Sequence, residues 1–293
     1  MITIQHMLDA LNVGGLYALI ALGIGLIFGI MRLINFAHGE LVMAGGYAMA
    51  VLVSLPWPAV VILSLLFLIG LALLIERAAF RPLRGRDPAT LLVASFTVSY
   101  FLQNLTILWF GSRPIPFTFA QGMSEIVEIA GLRFPLLQFI SIGITVLAIA
   151  GLALLLKKSA LGIQLRAAAE DPVTARLSGI RVNRVIAVAF ALSAILAWVV
   201  SLIYSVQIGQ LSATMGVRPL IIGFVATILG GLGSLVGAAV GGFVIGIASV
   251  MLDIFLPAET RPFRDAFLFA LVFLLLVARP EGLLRSSALQ ERV

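Results

Sequence analysis

In the polar patch after the first apolar run, Arg32–Glu40, the chain sets an imidazole near a carboxylate, with Asn35, His38 and Glu40. As an acid–base pair they are badly spaced: side chains at i and i+2 do not share a helix face. The absence of cysteine removes a thiol nucleophile and a thiolate metal site. The two histidines, His6 and His38, are separated by a whole apolar run. No catalytic residue, metal site or cofactor is therefore expected, and the chain does not read as an enzyme. What the patch offers is polar work in an apolar setting. Ionisable groups at membrane depth are costly and mark pathways, and Asn35 and His38 at i, i+3 would share a helical face as a lining or gate. In the other reading the patch caps the next helix from a membrane–water boundary, with Glu40 favoured near that helix's N-terminus. A second set, Tyr100, Gln103 and Asn104, falls at i, i+3 and i+4. It either lines a cavity or bonds neighbouring helices, at about 0.6 kcal/mol per bond.

These residues are set in hydrocarbon. With 61% hydrophobic and 11% charged residues and a mean hydropathy of +1.17, the chain carries more apolar surface than a water-soluble domain can hide. The net charge of +6 is no nucleic-acid footprint, because 13 of the 19 basic residues fall in Glu76–Asp87, Lys157–Arg184 and the tail from Arg279. That is the positive-inside bias, and it places those three segments in the cytoplasm. Arg77, Arg81 and Arg84 read as topology anchors on headgroups, with contact to a partner as the other reading. The N-terminus lacks the basic start and cleavage site of a signal peptide, so the first apolar run, Ala10–Met31, is a span that stays. Its Gly25 and Gly29 have the GxxxG spacing of close helix packing. The expected fold is an all-α integral membrane protein, one transmembrane domain over residues 1–293. It is a polytopic bundle of about eight to nine spans with two interrupted helices and a cytoplasmic coupling loop.

The interruptions lie in two overlong apolar runs. Leu41–Ile75 is broken by Pro56-Trp57-Pro58 into pieces of about 15 and 17 residues, each short of the roughly 20 that a crossing needs. Pro219–Leu252 has to begin and end on the same side to keep the tail in the cytoplasm. Its centre, Gly230-Gly231-Leu232-Gly233-Ser234, breaks a helix. We expect a hairpin turning within or near the inner half of the membrane. Gly- or Pro-broken segments towards both ends of a chain point to a transport site, since irregular backbone at depth must be satisfied by protein or a watery cavity. Gly230, Gly231 and Gly233 therefore join the pathway candidates; glycine-rich spans without a transport role are the alternative. Asp253 reads as a boundary residue at the outer end of this segment.

The longest polar island is Lys157–Arg184, with six basic residues and two acids between uncharged runs. Asp171-Pro172 is a helix start, the carboxylate capping and the proline standing where its missing N–H costs nothing. A helix Pro172–Ser178 with Gly179 as a left-handed stop follows, and Ser159–Ala169 forms a second short helix before it. Two short helices joined at an acidic cap make a rigid knob for a cytoplasmic partner, or an amphipathic segment resting on headgroups.

Four stretches in order resemble one family. They are Ile34-Asn35-Phe36-Ala37-His38-Gly39-Glu40, Glu76-Arg77-x-x-Phe80-Arg81-Pro82-Leu83, the island with Arg166–Asp171 and Gly179-Ile180-x-x-Asn183-Arg184-Val185-Ile186, and Leu229-Gly-Gly-Leu-Gly-Ser234-x-x-Gly237. Together they span about Met7 to Leu284 and are similar to the LivH-type permeases of branched-chain amino-acid ABC importers. The resemblance implies a multi-pass subunit of the bacterial inner membrane whose island docks into a groove of a cytoplasmic ATP-binding subunit, with Glu170, Asp171, Arg176 and Gly179 at the matching positions. It also implies a second, LivM-like permease and an extracytoplasmic solute-binding protein, besides lipid. The chain holds no GxxxxGK[ST] sequence, so ATP is bound elsewhere. Related permeases serve urea and amides, which leaves the solute open. A secondary transporter would need a carboxylate deeper than Glu40, and none is visible.

Overall fold

Lipid offers the backbone no partners, so the apolar runs close their hydrogen bonds within helices. The computed structural model describes residues 4–119, 125–129, 132–280 and 282–284. Its helices are α1 (Ile4–Met31), α2 (Ala37–Val51), α3 (Trp57–Ile75), α4 (Pro88–Phe110), α5 (Leu136–Lys158), α6 (Ala160–Glu170), α7 (Pro172–Leu177), α8 (Val182–Ile208), α9 (Val217–Gly230), α10 (Leu235–Phe255) and α11 (Arg264–Ala278). Six are long and apolar enough to cross a membrane: α1, α3 with its continuation to Phe80, α4, α5, α8 and α10. Between them stand the shorter α2, α9 and α11, of 15, 14 and 15 residues. The expected eight to nine spans thus divide, among the described residues, into full-length crossings and shorter pieces.

The centre is built from α1 and α8. Within the span of α1, 83% of residues are buried in the protein, against 17% in α5. α1 lies against α10 where small residues let the backbones touch. A Cβ added at Gly242 would lie 2.4 Å from the Ala18 Cα, and one at Gly246 2.2 Å from the Gly14 Cα. This is the small-xxx-small packing of membrane helices, but on α10; Gly29 of the expected Gly25/Gly29 pair meets nothing within 4 Å. At one end of the bundle Gln138 Nε2, at the start of α5, donates to Asp9 Oδ1 of α1 over 2.7 Å. At the other end α6 packs beneath both helices. The beginning of α1 therefore lies on the face opposite Lys157–Arg184.

Three features depart from the sequence reading. α3 does not stop at Ile75: a π-helical turn, Glu76–Phe80, carries it through the first charged residues, so only the α2 half of that broken run is short. α1 begins six residues earlier than its uncharged core. The chain is also not purely helical. β1 (Ile115–Pro116) pairs antiparallel with β4 (Gln210–Leu211), and β2 (Ile126–Ile129) with β3 (Leu132–Pro135). Runs of two to four residues show no period to detect.

Candidate translocation site and coupling segment

α2 starts halfway down the bundle. Residues 32–36 climb back from the end of α1, and the Asn35 side chain accepts from the Ala37 N–H at 3.1 Å to open the helix. Asn35 thus sits before the helix as a capping group and does not share a helical face with His38. Phe36 stacks on Phe96 of α4, ring centroids 3.9 Å apart. His38 is fully buried, its Nδ1 3.0 Å from Ser193 Oγ, and that hydroxyl donates to the Gly23 carbonyl over 3.0 Å. The direction of the bond between Nδ1 and Ser193 Oγ follows the ring tautomer, and whichever nitrogen carries the proton, the second one needs its own partner. Nε2 has no partner among the described residues and lies against α1 where a Cβ at Gly23 would be 2.6 Å away. Glu40, also fully buried, accepts from Ser99 Oγ and Gln103 Nε2 of α4, each at 2.7 Å. The patch therefore pins α2 to α1, α4 and α8. His38 and Glu40 have no exposed surface.

The expected face of Tyr100, Gln103 and Asn104 divides. Gln103 turns in to Glu40, whereas Tyr100 is 71% exposed and Asn104, also exposed, donates to the Tyr100 carbonyl over 2.7 Å. The inward face of α4 is instead Ser95, Ser99 and Gln103, at fourfold spacing. Ser193 and Gly23, which complete the His38 site, lie 155 and 15 residues away in sequence, and nothing local marks them.

α9 is the counterpart of α2. Residues 212–216 lead down from β4, and Gly216 meets Gly39 backbone to backbone: a Cβ at Gly216 would lie 2.0 Å from the Gly39 oxygen. From there α9 runs to a turn in which Gly231 (φ +107°) and Gly233 (φ +90°) take conformations that only glycine adopts easily. Gly230 packs on Gly237 across the resulting hairpin, and Leu283 N–H and Leu284 N–H donate to the carbonyls of Leu229 and Gly230 at 2.7 and 3.2 Å. The three glycines proposed for a pathway are thus the corner of the α9–α10 hairpin. At the opposite end a cavity of about 470 Å³ opens between α1 and α10, lined by Asp9, Asn12, Asp253 and Arg261 among others. Asp253 there is more than a boundary residue, since it holds Arg264 of α11 at 2.6 Å.

Lys157–Arg184 folds as its capping residues direct. Ser159 Oγ accepts from Gly162 N–H at 3.0 Å, Asp171 Oδ1 from Val173 N–H at 2.8 Å, and Gly179 ends the segment at φ +82°. Leu165, Ala168 and Ala175 face the bundle. Glu170, Asp171, Arg176 and Gly179 are exposed, as are Val173 (65%) and Leu177 (84%), two apolar side chains on a six-residue helix of the polar face.

A polytopic helical bundle with half-length helices meeting at its centre and a capped polar knob at one end is the form of a membrane permease. The sequence comparisons say which. The family described as branched-chain amino acid transport system / permease component matches residues 6–276, and the chain belongs to it. It is 35% identical to the high-affinity branched-chain amino acid transport system permease protein BraD of Pseudomonas aeruginosa, over 96% of this chain and 95% of that one. To LivH of Escherichia coli it is 33% identical over the same shares. Among solved structures, PsaBC from Streptococcus pneumoniae in complex with Fab superposes with a TM-score of 0.54 at 14% identity, covering 95% of this chain and 94% of that one. That likeness is one of fold.

Proposed function

We propose that this chain carries branched-chain amino acids across the cytoplasmic membrane as one permease subunit of an ATP-driven importer. ATP-binding subunits engage Glu170, Asp171, Arg176 and Gly179, a second permease completes the transmembrane unit, and a solute-binding protein delivers ligand to the opposite face. The observation that carries the reading is the 35% identity to the branched-chain amino acid permease BraD over 96% of the chain, and its docking part is supported by the exposure of Val173 and Leu177 on α7 (65% and 84%). Apolar side chains held outward on a rigid, charged knob support docking of a protein partner there. The apolar outer faces of α3, α4 and α5 supply the contact with lipid and with the second permease. Asn35, His38 and Glu40 act on the path from behind, by fixing where α2 begins.

The test is co-purification from detergent of wild type and of a Glu170→Lys, Gly179→Trp double variant, read by mass spectrometry. Wild type should bring down an ATP-binding subunit and a second permease, and the variant should lose only the former. Wild type that purifies alone and takes up leucine in sealed vesicles without ATP would overturn the reading in favour of a secondary transporter.

A further inference from the structure

Two of the stretches that carry the family resemblance, Glu76–Leu83 and Gly179–Ile186, are joined in space by a residue belonging to neither. Arg77 and Arg81 are exposed, as headgroup anchors would be. Arg84 is not: its side chain is 15% exposed and turned towards the bundle. Its Nη2 donates to Glu76 Oε1, and its Nη1 donates to Asn183 Oδ1 at 2.5 Å. Glu76 is buried in the π-helical turn that ends α3; Asn183 is the second residue of α8, where the chain leaves α6 and α7. Burial lowers the guanidinium pKa from its ordinary value through lost hydration; the Glu76 charge opposes this, and Arg81 and Arg176 add to it. Arg84 thus feels the charge of Arg176 on α7. Beside it Phe80, from the same π-turn, is fully buried against Phe190 of α8, ring centroids 5.6 Å apart.

A guanidinium is suited to this position because its rigid fork donates to two acceptors at a fixed angle, which a lysine ammonium does not. A buried charge pair of this kind adds little net stability, since desolvation offsets the attraction. What it adds is a defined geometry between two elements.

We propose that Arg84 is a coupling residue, clamping the exit of the α6–α7 segment to the end of α3 so that displacement of that segment by an ATP-binding subunit moves α3 and α4. The inference rests on the importer reading above. The clamp has a continuation. α4 begins four residues after Arg84 and holds Glu40 through Ser99 and Gln103, so a shift of α4 reaches the start of α2. Without the clamp the ATPase would still dock and turn over, but its motion would end in the α6–α7 segment.

The experiment reconstitutes the full complex in proteoliposomes and measures leucine transported per ATP hydrolysed, for wild type, Arg84→Gln, Arg84→Lys, Asn183→Ala and the exposed control Arg77→Gln. Arg84→Gln should lower the ratio at least tenfold with the ATP-binding subunit still bound. Asn183→Ala, which cuts the bond to α8 and spares the ion pair, should lower it comparably; Arg84→Lys, which keeps one arm, should lower it by less, and Arg77→Gln should match wild type. A wild-type ratio in an assembled Arg84→Gln complex overturns the proposal, as does an equal loss in Arg77→Gln. If Arg84→Gln does not assemble, Asn183→Ala decides, because it leaves the buried ion pair intact: an unchanged ratio there sinks the clamp. Wild-type complex that couples no ATP hydrolysis to uptake refutes the importer reading instead.

Discussion

α2 and α9 have the same form and are held by different means. Each follows a short non-helical leg, each starts in mid-bundle, and their first turns touch at Gly39 and Gly216. α2 is held by polar side chains: Asn35 caps it, His38 reaches Ser193, and Glu40 takes Ser99 and Gln103. α9 is held largely by closeness of backbone, with Gly216 on Gly39 and Gly230 on Gly237; among the described residues its side chains add Thr227 Oγ1, at 3.1 Å to Ala21 O of α1, and the exposed pair of Arg218 with Asp265 of α11. Steric contact of this kind permits one separation. Hydrogen bonds in a membrane, at about 0.6 kcal/mol each, permit exchange of partners. The two halves of one centre therefore differ in what holds them: α2 adds a set of buried polar bonds to its backbone contact, and α9 relies mainly on close packing.

That contrast can be broken most severely at the glycines. Gly216→Val places branched carbon where a single Cβ already falls 2.0 Å from the Gly39 oxygen. Backbone on both sides leaves no flexible side chain to move aside, and the expected outcome is loss of folded, monodisperse protein in size-exclusion chromatography. A normal elution profile would show that α9 is not held by contact. A smaller effect is expected at the polar half. Glu40→Ala leaves Ser99 and Gln103 without their acceptor in a buried site, which costs about 1–3 kcal/mol, whereas Glu40→Gln retains an acceptor and should cost less. Thermal melting of the two variants in the same detergent checks the order; equal shifts would mean that the network contributes only packing. The smallest effect belongs to the outward side of α4. Tyr100→Phe and Asn104→Ala alter exposed groups and should change stability by under about 0.5 kcal/mol. A larger loss of uptake at unchanged melting temperature would instead place Tyr100 and Asn104 on the transport path.

What was legible in the sequence tracks how local the physics is. The ends of α6 and α7 were read to within a residue, because Ser159, Asp171, Pro172 and Gly179 act on backbone one to three residues away. The α9–α10 corner was legible for the same reason: Gly231 and Gly233 announce the positive φ values they adopt. The site was only half legible. Glu40 and His38 stood out as costly residues in an apolar chain, but their partners lie 59 to 155 residues away, and no spacing rule reaches that far. Asn35 was misplaced because a helical repeat was extended back across a cap. α3 was cut short because Glu76 and Arg77 looked like the start of a loop. In fact the π-turn buries Glu76 and pairs it with Arg84.

The meeting of Gly39 and Gly216 has an electrical consequence. The start of a helix carries about half a positive elementary charge from its unpaired N–H groups, and here two such starts abut. Glu40 stands in the first turn of α2, while the first turn of α9 has no acid and its Arg218 is paired with Asp265 at 2.8 Å. The α9 side of the contact is therefore left positive. The seam between two half-helices is in this sense electrically lopsided: one helix start carries its own acid and the other does not.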